Sequence, residues 1–499
     1  MDIIIPSADT GFPRSDDILK SMSTVVTEII DSIDINSPPA HALALSNMEQ
    51  ANPRGYTRPM FFFETPHGVD QMSVVQIFRK ALEPTLQAIP SLACEIVAVD
   101  DGKSPTGRVA LKHGGFGSLI VNDLPGKHLS YEELRKQKFP QSRLEYGVLC
   151  ARGVFPIPGE RQPTFIPQLN IINGGFILAF CTHHTTYDAQ AINEILRVWA
   201  QNCRHIQDAA VTRCSSLPAE QFERSAHINS GEPTAAMGRP EHHPEFIVAP
   251  FQLSWPETAF RDTHRQRVYR LSPKALAELK NDCIEPGDSW ISTNDAATAL
   301  IWRSVIRAQA DFDQLPEDAM SHHIVVVDLR LRSDPPLSKQ YPGCPMNYAR
   351  PGMTLRDLCS STSLAPLARA IRNQVDKRTP EYTKSLITLL NNIPGYGQVA
   401  WTSFPSLLTT DCMTSTWYKL DLLDLHWGPA IGQIERVRYP AGGLFNGLSM
   451  IYPQITRGKQ EDLGMEIAIG MGKQHFEKLD NDPIWCKYAE MTDPGYDCV

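Results

Sequence analysis

Two adjacent glycines, Gly174 and Gly175, introduce an unbroken apolar run from Phe176 to Cys181; beyond His183 to Asp188, Ile192, Ile195, Leu196 and Trp199 fall at i, i+3, i+4 and i+7. An apolar run this short and without polar alternation reads as a strand buried on both faces, and the stripe behind it as a helix packed on the same sheet. A strand that must be covered on both sides, followed at once by one of its covers, requires a layered α/β arrangement. Other segments agree. Val74 to Ile89 has the spacing of an amphipathic helix that stops before Pro90, and Ser292 with Asp295 opens a helix through Leu300, Trp302 and Ile306. His323 to Leu331, with Ile324 to Val327 β-branched, reads as a central strand ending toward Asp328, Arg330 and Arg332. From about His205 to Glu257 both periodicities fade into a mixture of Ser, Pro, Glu and His, the signature of a long crossover between two halves of similar size.

At 499 residues the chain has room for two ordinary domains or one composite fold. Acidic residues outnumber basic ones by 56 to 47, a formal charge of −9 that opposes a nucleic-acid backbone. Eleven cysteines stand apart with no CxxC pair, which suits reduced thiols in a cytoplasmic protein. The first twenty residues lack the basic start and apolar core of a secretory signal, and no apolar run approaches the ~20 residues of a membrane span, so no membrane partner is expected.

The sharpest chemical signal is Cys181-Thr-His183-His184-Thr-Thr-Tyr-Asp188-Ala189, two imidazoles and a carboxylate at the mouth of the buried strand. Asp188 can serve as N-cap of the following helix, with His184 an ordinary half-buried side chain. Alternatively a neutral His184 can act as a general base toward an alcohol or amine while Asp188 sets the geometry of the loop. A third arrangement makes His183, His184 and Asp188 metal ligands, but no further clustered His, Cys or carboxylate completes a set. Gly447-Leu-Ser449-Met-Ile451 lacks the last glycine of a nucleophile elbow, and Gly470-Met-Gly472-Lys473 lacks the remaining positions of a phosphate loop.

The pentad His184-Thr-Thr-Tyr-Asp188, taken with Asp424-Leu-His-Trp427-Gly428, resembles the HxxxD and DFGWG pair of the BAHD-type acyl-CoA-dependent acyltransferases. Further stretches resemble the fungal branch that includes trichothecene 3-O-acetyltransferases: Leu45 to Gln50 with Arg54 and Tyr56, Ser292 to Ala296 with Trp302 and Arg303, and Asp328 to Arg332 followed by Pro335 to Leu337 and Tyr341 to Gly343. Leu425 and His426 depart from the second motif, and Cys344 stands where the family usually has Asn. The resemblance implies two chloramphenicol-acetyltransferase-like domains with mixed sheets and a tunnel at their interface. The first domain is placed at residues 1–205 and the second at 258–499, joined by a crossover linker at 206–257.

By that resemblance His184 is the catalytic base, and Asp188 turns away from the tunnel to pair with Arg330, a structural role. Asp424, Trp427 and Gly428 give structural support, and Ser415, Thr416 and Trp417 are candidates for the oxyanion or CoA. The implied co-substrate is acetyl-CoA or another acyl-CoA, with no tightly bound cofactor and no metal. The acceptor is a hydroxylated fungal specialised metabolite, and the enzyme a cytoplasmic monomer. The same pentad with His183 resembles the HHxxxDG motif of peptide-synthetase condensation domains, which use carrier-bound thioesters, and a non-catalytic binder could share the tunnel.

Overall fold

A computed structural model describes residues 27–34, 45–99 and 107–495, except 115, 125, 127, 158, 224–226, 228–236, 250–263, 286, 288–289, 312–314, 317, 394, 404–405, 408, 443 and 446. The first twenty residues and the Ser230 to Pro233 part of the crossover thus lie outside the described residues. In chain order the first strands of the two large sheets are β1 (Thr27–Asp34), β2 (Tyr56–Thr57), β3 (Met60–Glu64), β4 (Phe116–Asp123), β5 (Phe165–Ile172), β6 (Gly175–His183) and β7 (His264–Leu271). They continue with β8 (Met320–Asp328), β9 (Met346–Ala349), β10 (Gly352–Thr354), β11 (Cys412–Thr416), β12 (Arg436–Arg438), β13 (Leu448–Ile451), β14 (Met465–Gly472) and β15 (Glu490–Asp493). Three helices position the site: α1 (Gln71–Ala88), α2 (Ala189–Gln207) and α3 (Thr293–Gln309).

The first sheet has the order β1-β4-β5-β6-β3-β12, with β2 also paired to β6. β4 and β5 run parallel and β5 and β6 antiparallel, so the sheet is mixed. Every residue of β5 and β6 is buried. One face is covered by α1 and α2 through Phe78, Leu82, Ile195 and Trp199, the other by Tyr131, Leu134 and Leu149 of two short helices. Cover on both faces is the physical reason the sequence shows no polar alternation here. Gly174 turns the chain at a φ of +80°, and Gly175 lets the Tyr131 ring approach so closely that a Cβ would lie 2.2 Å from it.

The second sheet has the order β9-β8-β11-β13-β14-β7-β15, with β10 on the far end of β8. β8, β11 and β13 run parallel, with the remaining pairs antiparallel. α3 is buried almost all round, which explains why its sequence carries no clean stripe. Its capping box closes with Asp in the Glu position: Asp295 N donates to Ser292 Oγ at 3.1 Å and Ser292 N to Asp295 Oδ2 at 2.7 Å.

Two boundaries differ from the sequence reading. α1 begins three residues before Val74, because Asp70 caps it by accepting from Ser73 N at 2.9 Å, and it continues through Pro84. β8 begins three residues before His323 and ends at Asp328, leaving Arg330 and Arg332 in the turn behind it.

The second half lends a strand to the first sheet. β12, from the second half, pairs antiparallel with β3 and sets Arg436 opposite Phe62 and Arg438 opposite Met60. Buried Arg438 then reaches back to Glu466 on β14 at 2.7 Å, and Asp493 on β15 accepts from Gln141 N at 2.7 Å. Within the crossover, Phe246–Val248 pairs with Val399–Trp401.

Candidate active site

The strand β6 ends at His183, and α2 begins at Ala189. The five residues between are pinned from outside. His184 N donates to Gly55 O at 2.7 Å, Thr185 Oγ1 to Pro53 O at 3.4 Å, and Tyr187 OH to Ser91 Oγ at 2.9 Å. Arg54 adds a bond from its Nη1 to Thr185 Oγ1 at 3.3 Å. The loop is therefore held at nearly every residue, which fixes where the His184 ring sits.

The two neighbouring imidazoles have separate surroundings. His183 is fully buried against the edge of the Tyr56 ring, with centroids 5.3 Å apart, and burial drives its pKa down to about 3. It stays neutral, and among the described residues no group of three His, Cys, Asp or Glu is arranged to hold a metal. His184 is half-buried, and its Nδ1 lies 3.8 Å from the Sγ of Cys344. Burial holds the His184 imidazole below its ordinary value, against the opposing pull of its own carbonyl, Asp188 and the Tyr187 backbone.

Asp188 performs two tasks. Its Oδ1 accepts from Ala191 N at 2.8 Å as the N-cap of α2, and its carboxylate receives both terminal nitrogens of Arg330, at 2.7 and 2.9 Å. Arg330 also donates to Asp328 Oδ1, Tyr341 O and Gly343 O, so one buried guanidinium gathers the loop, the end of β8 and the turn that carries Cys344. Burial works against the charged guanidinium, but Asp188 and Asp328 hold its pKa above the ordinary value. Burial likewise pushes the Asp188 carboxyl up, and Arg330 opposes that push.

The second motif lies at the other end of α2. Gln207 donates from Nε2 to Trp427 O at 2.7 Å and accepts from Ala430 N at 2.8 Å. Gly428 has a φ of +95°, and a Cβ there would fall 2.2 Å from the Gln207 amide. Trp427 is buried against Phe63, Phe78 and Trp199 with centroids 5.3, 5.6 and 6.3 Å apart. Asp424 is exposed and meets Arg457 at 4.0 Å. Since α2 has 19 residues, this motif stands about 28 Å from the Asp188 cap. Its Trp427 packs within the core of the first sheet.

Ser415 and Thr416 lie half-buried at the end of β11, and Trp417 is buried near Tyr439 at 6.1 Å. Thr416 Oγ1 accepts from Tyr418 N at 3.4 Å. Among the described residues no hydrogen bond joins these three to His184.

One residue of the site is assigned no role by sequence reasoning. Buried Glu49 accepts from Tyr341 OH at 2.5 Å and from Cys344 N at 3.3 Å, so it steadies the residue that faces His184. Its signal was present as Ser46-x-x-Glu49, a capping-box pattern that closes around Ser46.

The chain is 26% identical over 90% of its length to "Enoyl-CoA isomerase/hydratase claC" of Penicillium crustosum, and spans about half, 52%, of that protein. It is 24% identical to "Trichothecene 3-O-acetyltransferase TRI101" of Fusarium sporotrichioides, covering 87% of this chain and 93% of the relative. The crystal structure of F. graminearum TRI101 complexed with coenzyme A and T-2 mycotoxin superposes with a TM-score of 0.76 at 22% identity, over 90% of this chain and 99% of that one. The fold is thus the mixed α/β, two-domain architecture of that acetyltransferase. Residues 33–483 match the Transferase family, and the chain belongs to it, the family of the BAHD-type acyltransferases.

Proposed function

We propose that the protein is an acyl-CoA-dependent O-acyltransferase that acetylates a hydroxyl of a fungal specialised metabolite by direct transfer, with His184 as general base. The observation that carries this reading is the loop itself: an imidazole kept neutral by burial at a strand mouth, anchored by Gly55 in front and by the Asp188–Arg330 pair behind. Nδ1 of His184 faces the protein at Cys344, which leaves Nε2 to take the acceptor proton. The acceptor oxygen attacks the thioester carbonyl, a tetrahedral oxyanion forms, and its collapse expels CoA thiolate, to which the imidazolium returns the proton. Positioning two bound substrates supplies much of the rate.

In this reading Asp188 and Arg330 orient the loop, while Asp424, Trp427 and Gly428 support the core. Ser415, Thr416 and Trp417 remain candidates for contacts with CoA or the oxyanion. The units are residues 1–205 and 258–499 with the crossover 206–257 between them, and the protein works as a cytoplasmic monomer. Among the described residues, no helix is long and apolar enough to cross a membrane.

The direct test needs no acceptor. Acetyl-CoA at ~100 times its dissociation constant stabilises the native state by ~2.7 kcal/mol, so the thermal midpoint rises with acetyl-CoA and with CoA. A midpoint unmoved by either ligand removes the acyl-CoA reading.

The pH profile tests the base. His184 acts unprotonated, and its pKa is depressed below 6.5, so the acid limb of kcat/KM has its midpoint below pH 6.5. An acid limb with its midpoint above pH 6.5 speaks against a burial-depressed His184 as the base.

A further inference from the structure

Two thiols and one unpaired cation meet on the covered face of β6. Cys181 lies on that strand with Ile166 of β5 opposite it. Cys150 reaches the same face from the short helix Tyr146–Leu149, whose end is tied to β5: Gln168 Nε2 donates to Val148 O at 2.9 Å and Asn170 Nδ2 to Leu149 O at 3.0 Å. The Cys181 thiol reaches forward to Arg152 O at 3.9 Å, two residues beyond Cys150. The two thiols are hydrogen-bonded to each other and share one apolar cluster with Tyr56.

The cation is Arg58. β2 pairs Thr57 with Thr182, and Phe180 N donates to Pro59 O at 3.0 Å, so Arg58 lies beside Cys181. Its guanidinium rests over the Tyr146 ring at 5.0 Å, at the start of the helix that leads to Cys150. Five other described arginines are buried, and each has a carboxylate within 4.0 Å: Arg303 has Asp482, Arg330 has Asp188, Arg378 has Glu245, and Arg436 and Arg438 share Glu466. Arg58, at 3% exposure, has none among the described residues. A single aromatic face offsets little of the cost of desolvating a cation, and a thiolate beside it would offset more.

The thiols respond to this arrangement in opposite directions. The bond from Cys150 draws the Cys181 thiol below its ordinary value, burial opposes that pull, and Arg58 adds to it. Cys150 is pushed up by its bond to Cys181 and by burial. One member of the pair therefore ionises readily while the other keeps its proton. Residues 151–154 beside them are only half-buried, and no Arg58 nitrogen is among the occluded polar atoms that lack a partner, so a molecule the size of water reaches the guanidinium.

We propose that Cys150 and Cys181 form a peroxide-sensitive pair that closes to a disulfide, with Arg58 as the cation that holds the Cys181 thiolate. The thiolate attacks one oxygen of hydrogen peroxide, the O–O bond breaks, and hydroxide leaves with a proton as water, giving a sulfenic acid at Cys181. The Cys150 sulfur then attacks the Cys181 sulfur and expels the second oxygen as water, so two thiols are oxidised and one peroxide is reduced to two waters. The bond would tie the segment after Tyr146 to the strand that leads into His184. This chemistry requires no acyl transfer.

The folded protein is treated with hydrogen peroxide, remaining thiols are alkylated, and tryptic peptides 144–152 and 162–197, whose only cysteines are Cys150 and Cys181, are followed by mass spectrometry. Wild type is expected to give the two peptides joined, lighter than their sum by two hydrogens, and separated again by dithiothreitol. Cys150→Ser gives no joined peptide, and dimedone then traps the sulfenic acid at Cys181. Arg58→Met slows the joining by about tenfold, whereas Arg58→Lys, which keeps the charge, stays within about threefold of wild type. The proposal is overturned if the peptides stay separate while exposed Cys486 is oxidised in the same sample, or if they join only in urea. It is equally overturned if Arg58→Met reacts as fast as wild type, or if Cys150→Ser leaves Cys181 unlabelled by dimedone.

Discussion

His184→Ala is expected to lower acceptor-dependent CoA release by ~10²–10⁴-fold while leaving the thermal midpoint and the acetyl-CoA shift close to wild type. The size follows from the role: a positioned base removes the acceptor proton as the oxygen attacks, and a methyl group cannot. Stability should change little because the loop is held by other atoms of its own residues. The His184 amide bonded to Gly55 survives the substitution, as do the Thr185, Tyr187 and Asp188 contacts. The approach of the ring to the Cys344 side chain, at 3.8 Å, is too long for a strong hydrogen bond. Free thiol is measured over time with an acceptor that the wild type turns over. Turnover within tenfold of wild type would remove His184 as the base. Turnover lost together with the acetyl-CoA shift would mean that the variant had failed to bind its co-substrate.

The strand and helix that carry this residue were legible in the sequence because burial on both faces leaves an unmistakable pattern. Phe176 to Cys181 lies inside β6, and Ile192, Ile195, Leu196 and Trp199 all turn into the core beneath α2. The Ser292 capping box was legible for a similar reason, since its two bonds are local in sequence. What local pattern could not carry was the strand that the second half lends to the first sheet. β12 is three residues long, and nothing in Arg436-Val-Arg438 says that it will complete a sheet begun at Thr27. The link between the two motifs was hidden in the same way. It runs through Gln207, an amide at the end of α2 that has no periodic or motif signal of its own.

Arg330→Met and Asp188→Ala are each expected to destabilise the protein by ~3–5 kcal/mol, the cost of leaving one buried charge without its partner. Asp188→Ala also removes the N-cap of α2, a further ~1 kcal/mol. Arg330→Met leaves the carbonyls of Tyr341 and Gly343 without their donor, which loosens the turn that presents Cys344 to His184. Both variants should therefore melt earlier and turn over more slowly, through a displaced loop rather than a lost proton acceptor. The double variant Asp188→Ala with Arg330→Met separates charge from shape. With no buried charge left unpaired it should be less destabilised than the sum of the singles, and a cycle measured by denaturant midpoints would show coupling well above the few tenths of a kcal/mol of independent sites. It should remain catalytically poor, since an apolar contact cannot reproduce the paired bonds at 2.7 and 2.9 Å that set the angle of the loop. Wild-type midpoints in both single variants would show that the pair does not hold the loop. Recovery of turnover in the double variant would show that neutralising the charges, rather than the geometry of the pair, is what His184 needs.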